Sequence, residues 1–353
     1  MYGGTERVVS YLTEELVRQG HELTLFASGD SVTGAELVPC CNKALRLNSA
    51  VKDHLPHLIM MLERIRQRTE EFDVIHFHID ILQFPLMDQF EGHALTTLHG
   101  RLDLPDLKPF YLMFSDCPLV SISNSQQSQL PSAGWVGTVY HGLPRNLLPF
   151  SPASGKYLAF LGRISPEKGP GKAIEIAIRA GMPLKMAAKI DKVDQDYWKD
   201  VIRPMIESNP SVEFVGEIDE KGKAAFLGNA AALLFPIDWP EPFGLVMIEA
   251  MACGTPVIAF PCGSVREVVD EGKTGYVVNT AEKAVNAVER AMKLSRASIR
   301  KCFEERFTVD RMARDYVELY CRLPGANEVR RQRHLMNGGH VSLQLPSIRT
   351  SYE

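Results

Sequence analysis

Short apolar runs alternate with amphipathic stretches along most of the chain. That alternation predicts strand–helix units with a parallel sheet. Val8, Val9, Leu12 and Leu16 fall on one face of a first helix, which Gly20 ends. Residues 22–27 then read as a strand. A longer helix is predicted over 54–68, with Leu55, Leu58, Ile59, Leu62 and Ile65 on one face. Further strands are predicted at 74–77, 94–98, 119–123 and 138–141.

Pro144, Pro149, Pro152 and Gly155 then interrupt the pattern and mark a linker. The pattern restarts with strands at 157–161, 184–190, 212–215, 232–235 and 256–260. Helices are predicted at 171–180, 194–208, 219–230 and 243–252, and near 281–293 and 309–319. The resulting division is a domain over 1–145, a linker over 146–155, a second domain over 156–306, a last helix over 307–322 and a polar, aperiodic tail over 323–353. The fold class is α/β, two doubly wound halves with no internal sequence repeat. Tyr2-Gly3-Gly4-Thr5-Glu6 reads as a Gly-rich loop opening a helix. In a doubly wound domain a strand normally precedes such a loop. Here none does, so the first strand is expected to be lost, or the sheet to be built without it.

The 353 residues give room for two ordinary domains. With 45% hydrophobic and 23% charged residues, the composition is globular. A net charge of −4 gives no reason to expect a nucleic-acid partner. Seven cysteines, Cys40 and Cys41 adjacent, show no metal spacing and read as reduced thiols. No apolar run approaches the roughly 18–20 residues that cross a bilayer. The expected location is cytoplasmic, with peripheral contact at the inner membrane face left open.

Candidate chemistry concentrates in the second half. Glu241-Pro-Phe-Gly-Leu-Val-Met-Ile-Glu249 places two carboxylates around a turn that opens a helix. A helix mouth offers unpaired N–H groups and partial positive charge, which suit a phosphate. A carboxylate just outside it can hold sugar hydroxyls, and one two turns in can reach a ribose. In Gly162-Arg163-Ile-Ser-Pro-Glu167-Lys168-Gly169, Arg163 and Lys168 follow a strand end. Two cations there can neutralise a diphosphate leaving group, although alone such a pair is usually solvated surface.

By these motifs, residues 2–322 resemble glycosyltransferase family 4, the retaining nucleotide-sugar transferases of the GT-B fold. The resemblance rests on the Glu-x7-Glu pair, the Gly-Arg-x3-Glu-Lys-Gly loop and the double-glycine start. It implies two Rossmann-like domains facing across a cleft, the first on the acceptor side and the second on the donor side. The last helix would cross back to the first domain. By motif, Arg163 and Lys168 would bind the donor diphosphate next to Gly162, and Glu241 the sugar hydroxyls. Phe243, Gly244 and Leu245 would lie near phosphate or sugar, Glu249 on the ribose, and Gly3 and Gly4 near the donor. His99, past a buried strand, would bond the transferring hexose; a capping histidine is the alternative. Lys189 and Ile190 would line the base pocket. Asp80, Asn124 and His141 are candidates for acceptor or sugar contact, with N-capping accounting for Asn124 and hinge packing for His141 as alternatives. His76 and His78 share a strand face and read as packing, since the family uses no protein-bound metal and no cofactor. The donor would be a UDP-, GDP- or ADP-hexose, and the acceptor a sugar, lipid or small molecule. The rivals are a GT-B epimerase or phosphorylase-like enzyme, and a non-catalytic nucleotide-sugar-binding protein.

Overall fold

The structure is a computed structural model and describes residues 3–90, 92–153 and 155–325. Tyr2 and most of the tail expected over 323–353 lie outside the described residues. The first domain runs α1 (Gly4–Arg18), β1 (Thr24–Ser28), β2 (Glu36–Cys41), α2 (Leu55–Gln67), β3 (Ile75–Phe77), β4 (Ala94–Thr97), α3 (Leu107–Met113), β5 (Leu119–Ser121), α4 (Asn124–Ser128) and β6 (Trp135–Thr138). All of its strand pairs are parallel.

Its sheet is divided. β1 pairs only with β2, while β3-β4-β5-β6 form a separate four-stranded sheet. Among the described residues no strand precedes α1. Side chains span the division: the rings of Phe26 and Phe72 meet edge-on at 5.9 Å, and the Arg68 guanidinium lies 5.6 Å from each. The strand expected at 138–141 lies instead at Trp135–Thr138. Beyond it the chain leaves the sheet: the Gly142 amide donates to Met312 Sδ at 3.2 Å, and Leu143 bridges to Thr308.

The second domain comprises β7 (Tyr157–Arg163), α5 (Pro170–Arg179), β8 (Leu184–Lys189), α6 (Gln195–Tyr197), α7 (Arg203–Glu207), β9 (Val212–Gly216), α8 (Glu220–Gly228), β10 (Ala230–Phe235), α9 (Leu245–Ala252), β11 (Val257–Ala259), α10 (Val265–Val268), β12 (Gly275–Val277), α11 (Ala281–Met292), α12 (Arg296–Arg306) and α13 (Val309–Tyr320). The helix expected over 194–208 runs without a gap from Gln195 to Glu207, with the π-turn Trp198–Ile202 joining α6 to α7. The six strands are parallel, in the order β12-β11-β10-β7-β8-β9. The order reverses at β7, whose neighbours are β8 and β10. A crevice for ligands therefore opens at the carboxyl ends of β7 and β10.

Alternation along the strands loads both faces of this sheet. Leu233 and Phe235 of β10 join the core with Phe243 and Met247, while Ala232 and Leu234 join the one with Ile174 and Val288. The segment 146–155 packs rather than hanging free: Leu148 is fully buried. α13 returns to the first domain, where Met312, Ala313 and Tyr316 pack with Val8, Leu12 and Leu16 of α1. No helix among the described residues is long and apolar enough to cross a membrane.

Candidate functional site

The mouth of α9 lies in the crevice at the switch point. Sequence places the helix start at Phe243, but the helix begins at Leu245 because Gly244 is left-handed (φ 78°). A side chain at Gly244 would be strained, and its Cβ would stand 2.8 Å from Met247 Cε. Phe243 points inward, 2% exposed, with its ring 5.0 Å from that of His141. Ser264 secures the turn by donating its backbone N–H to Glu241 O at 3.0 Å and its hydroxyl to Phe243 O at 2.7 Å. No hydrogen bond within the described residues uses the Leu245 or Val246 amides.

Lys168 reaches this mouth from the turn after β7. Gly169 is left-handed there (φ 70°), and a Cβ would collide with Pro236 O at 2.2 Å. The turn can therefore press against the end of β10. Lys168 Nζ forms an ion pair with Glu241 Oε2 and lies 4.4 Å from the centre of the Trp239 ring. Arg163 is held differently, by Glu167 at 2.5 Å, Asp194 at 3.4 Å and Asp191 at 3.8 Å. Lys189 pairs with the same Asp191 at 2.6 Å.

Two adjoining cavities meet at Lys168 and Glu241. The smaller, about 290 Å³, is lined by Gly4, His99 and His141 from one domain and by Gly162 and residues 241–246 from the other. The larger, about 440 Å³, is lined by His99, Gly100, Arg101, Arg163, Trp239 and Glu241 among others. Gly3, Asp80, Asn124, Lys189, Ile190 and Glu249 line neither. Asp80 is exposed. Asn124 serves the junction between the domains, where its amide N–H donates to Glu267 Oε2 of α10 at 2.8 Å and its side chain to the Tyr140 hydroxyl at 3.1 Å. Ser123 caps α4 by accepting from the Gln126 amide at 3.0 Å.

Glu249 sits just over one turn into α9, 2% exposed. Arg7 of α1 reaches across the cleft to its Oε1 at 2.8 Å, and Lys223 of α8 lies at 2.9 Å. Arg7 also pairs with Glu220 at 2.9 Å. Burial alone would raise the Glu249 carboxyl; the charges of Lys223 and Arg7 outweigh it and hold the group below its ordinary range. Neither cation stands out in sequence. Arg7 follows the double-glycine loop, yet helical periodicity marks only its neighbour Val8.

A run of imidazoles leads inward from the cavities. His99 Nε2 lies 2.9 Å from His78 Nδ1, and its ring stacks on His141 at 5.3 Å. His76 is bonded to the Tyr320 hydroxyl and to Thr97 Oγ1, each at 2.7 Å. His99 Nδ1 and His141 Nδ1 are buried with no partner among the described residues. These residues include no set of three or more His, Cys, Asp or Glu arranged to hold a metal ion.

Burial pushes His99 down to about 4 and His76 to about 3, and lowers His78 and His141 well below the ordinary 6.5. The folded chain thus binds fewer protons than the unfolded chain below pH 6.5. Stability is complete above that pH and falls as the pH drops, by about 1.4 kcal/mol per pH unit for each such group. Calorimetry between pH 7 and pH 4.5 should show a steep fall in Tm, shallower in His76→Gln. A Tm unchanged between pH 7 and pH 5 would mean that the histidines are not held neutral.

Two Rossmann-like domains closing on a shared cleft, with an acid-flanked helix mouth and a lysine at the switch point of the second domain, define the GT-B class. Two family models match the chain: Glycosyltransferase Family 4 over residues 2–117 and Glycosyl transferases group 1 over residues 149–306. The chain belongs to this family of transferase enzymes. A phosphatidyl-myo-inositol mannosyltransferase of Mycobacterium leprae is 31% identical over 143 residues, 38% of this chain and 36% of that relative's own length. A glycogen synthase of Mycobacterium tuberculosis is 26% identical over 347 residues, 82% of each chain. Among solved structures, HepE of Anabaena in complex with UDP and glucose superposes with a TM-score of 0.69, at 19% identity, covering 90% of this chain and 95% of that one.

Proposed function

We propose that the protein transfers a hexose from a nucleoside-diphosphate sugar to a hydroxyl acceptor with retention at the anomeric carbon. The observation that carries this reading is the meeting of Lys168 and Glu241 at the open mouth of α9, opposite His99. The helix N-terminus and Lys168 receive the diphosphate, and Arg163 adds a second cation after shedding part of its carboxylate shell. Glu241 grips sugar hydroxyls, with His99 on the opposite wall. Glu249 reaches the ribose once Arg7 shifts wholly to Glu220. Lys189 and Ile190, at the end of β8, face the base.

Both motif carboxylates are engaged, Glu241 by Lys168 and Trp239, and Glu249 by Arg7 and Lys223. Neither is placed as a covalent nucleophile of the kind retaining glycosidases use. With both carboxylates assigned to holding the donor, the reading favoured here is front-face substitution. The bond from C1 to the phosphate oxygen breaks, the acceptor oxygen bonds to C1 on the same face, and its proton passes to the departing phosphate. No metal ion takes part. HepE binds UDP and glucose, so UDP-sugars head the candidates here.

Thermal shift with UDP-, GDP- and ADP-hexoses tests the donor class, because a bound donor stabilises by mass action. One nucleotide should raise Tm, and the sugar should then appear on an acceptor with its anomeric configuration kept, in EDTA as in buffer. Binding without hydrolysis or transfer across a broad acceptor panel would favour the non-catalytic reading.

A further inference from the structure

The Lys168–Glu241 pair is shaped by a third side chain that neither motif contains. Trp239 lies two residues before Glu241, on the loop after β10, and is half-buried. Its indole N–H donates to Glu241 Oε2 at 3.0 Å. Lys168 bonds that same oxygen. Both contacts fall on Oε2, so Oε1 is the atom left for a ligand. The indole face carries the Lys168 ammonium at 4.4 Å, and the Arg101 guanidinium lies 5.6 Å from the ring. The ring is also a wall of the larger cavity.

We propose that Trp239 is a positioning and specificity residue that holds Glu241 and Lys168 to separate parts of the donor. This rests on the nucleotide-sugar reading above. When a diphosphate arrives, Lys168 leaves Glu241 for phosphate, and the indole face keeps the ammonium at the boundary between the cavities. The indole N–H stays on Oε2 and fixes the carboxylate plane, so that Oε1 meets the sugar hydroxyls in one orientation. The flat apolar ring beside these polar groups favours a hexose presenting a C–H face to it. Trp239 touches none of the reacting atoms and acts through Glu241 and Lys168.

The two functions of the ring separate in two variants. Trp239→Phe keeps an aromatic face under Lys168 and loses the N–H; Trp239→Leu loses both. Titrations with UDP and UDP-glucose, with donor turnover, read the difference. Trp239→Phe should lower kcat/KM for UDP-glucose at least fivefold while the Kd for UDP stays within twofold. Trp239→Leu should weaken UDP as well, threefold or more. In a Glu241→Gln background, Trp239→Phe should cost less than a further twofold, because the residue it positions is already altered. Equal weakening of UDP and UDP-glucose in Trp239→Phe, multiplying effects in the double variant, or an unchanged Trp239→Phe overturns the assignment. A wild-type protein that binds neither compound overturns both this assignment and a UDP donor.

Discussion

Lys168→Ala and Glu241→Ala should each lower kcat/KM at least tenfold, towards the roughly 10²–10³-fold loss typical when one preorganised transition-state contact is removed. The two residues share one ion pair in the structure but part in the transition state. Lys168 then faces the charge building on the leaving diphosphate. That charge is largest at the transition state, so its loss should appear in kcat as well as in kcat/KM. Glu241 holds hydroxyls of the transferring sugar, so its loss should fall hardest on the sugar-bearing donor and spare the free nucleotide. Steady-state kinetics beside nucleotide titration separate the two. Arg163→Ala provides the contrast. Its guanidinium is already shared by Glu167, Asp191 and Asp194. Removing it leaves three carboxylates beside the incoming phosphates, so donor KM should rise more than kcat falls. A folded Lys168→Ala with near wild-type rates would contradict the leaving-group role.

Sequence made the second domain more legible than the first, for a physical reason. Strands such as Ala230–Phe235 are buried on both faces and read as continuous apolar runs. Glu36–Cys41 is no more than half-buried and contains a proline and two cysteines, so neither run nor alternation betrays it. Arg296–Arg306 hides as a helix because four of its eleven residues are cationic. A helix mouth shortly after Glu241 and the lysine beside it were readable from the motifs, although the left-handed Gly244 moves the start from Phe243 to Leu245. Trp239 and Arg7 were not: their partners, Glu241 and Glu249, are set by how loops and domains pack. The imidazole run was half-visible. His76 and His78 alternate along one strand, but the contact of His78 with His99 needs β3 and β4 side by side in parallel register.

Arg296→Ala should be the most destabilising single change, by about 3–5 kcal/mol, the upper end for single substitutions, reached when a buried hydrogen-bond network is broken. Arg296 is 7% exposed, and none of its hydrogen bonds goes to a carboxylate. Its guanidinium donates instead to Ser151 O at 2.7 Å, Ala230 O at 3.0 Å, Gly228 O at 2.8 Å, Cys253 O at 3.3 Å and Thr255 Oγ1 at 2.7 Å. One side chain thereby ties the interdomain segment, the end of α8, the start of β10 and the exit of α9. Truncation would leave four carbonyls buried without that donor, each costing about 1–3 kcal/mol if nothing replaces it. Water entering the vacated space would recover part of that, which keeps the total near the stated range. Burial lowers the basicity of the guanidinium, but its charge also lies beside the C-terminal end of α9, where the helix dipole favours a cation. Arg296→Lys should recover little, since an ammonium cannot span the fork that five oxygens define. At roughly 2–4 °C per kcal/mol, Arg296→Ala should lower Tm by about 6–20 °C. Calorimetry and urea titration read this directly, and a change under 1 kcal/mol would show that the clamp is dispensable. Because Arg296 grips the end of α9 far from the mouth, the surviving folded protein should keep its donor affinity, unlike Lys168→Ala, which should keep its Tm and lose its rate.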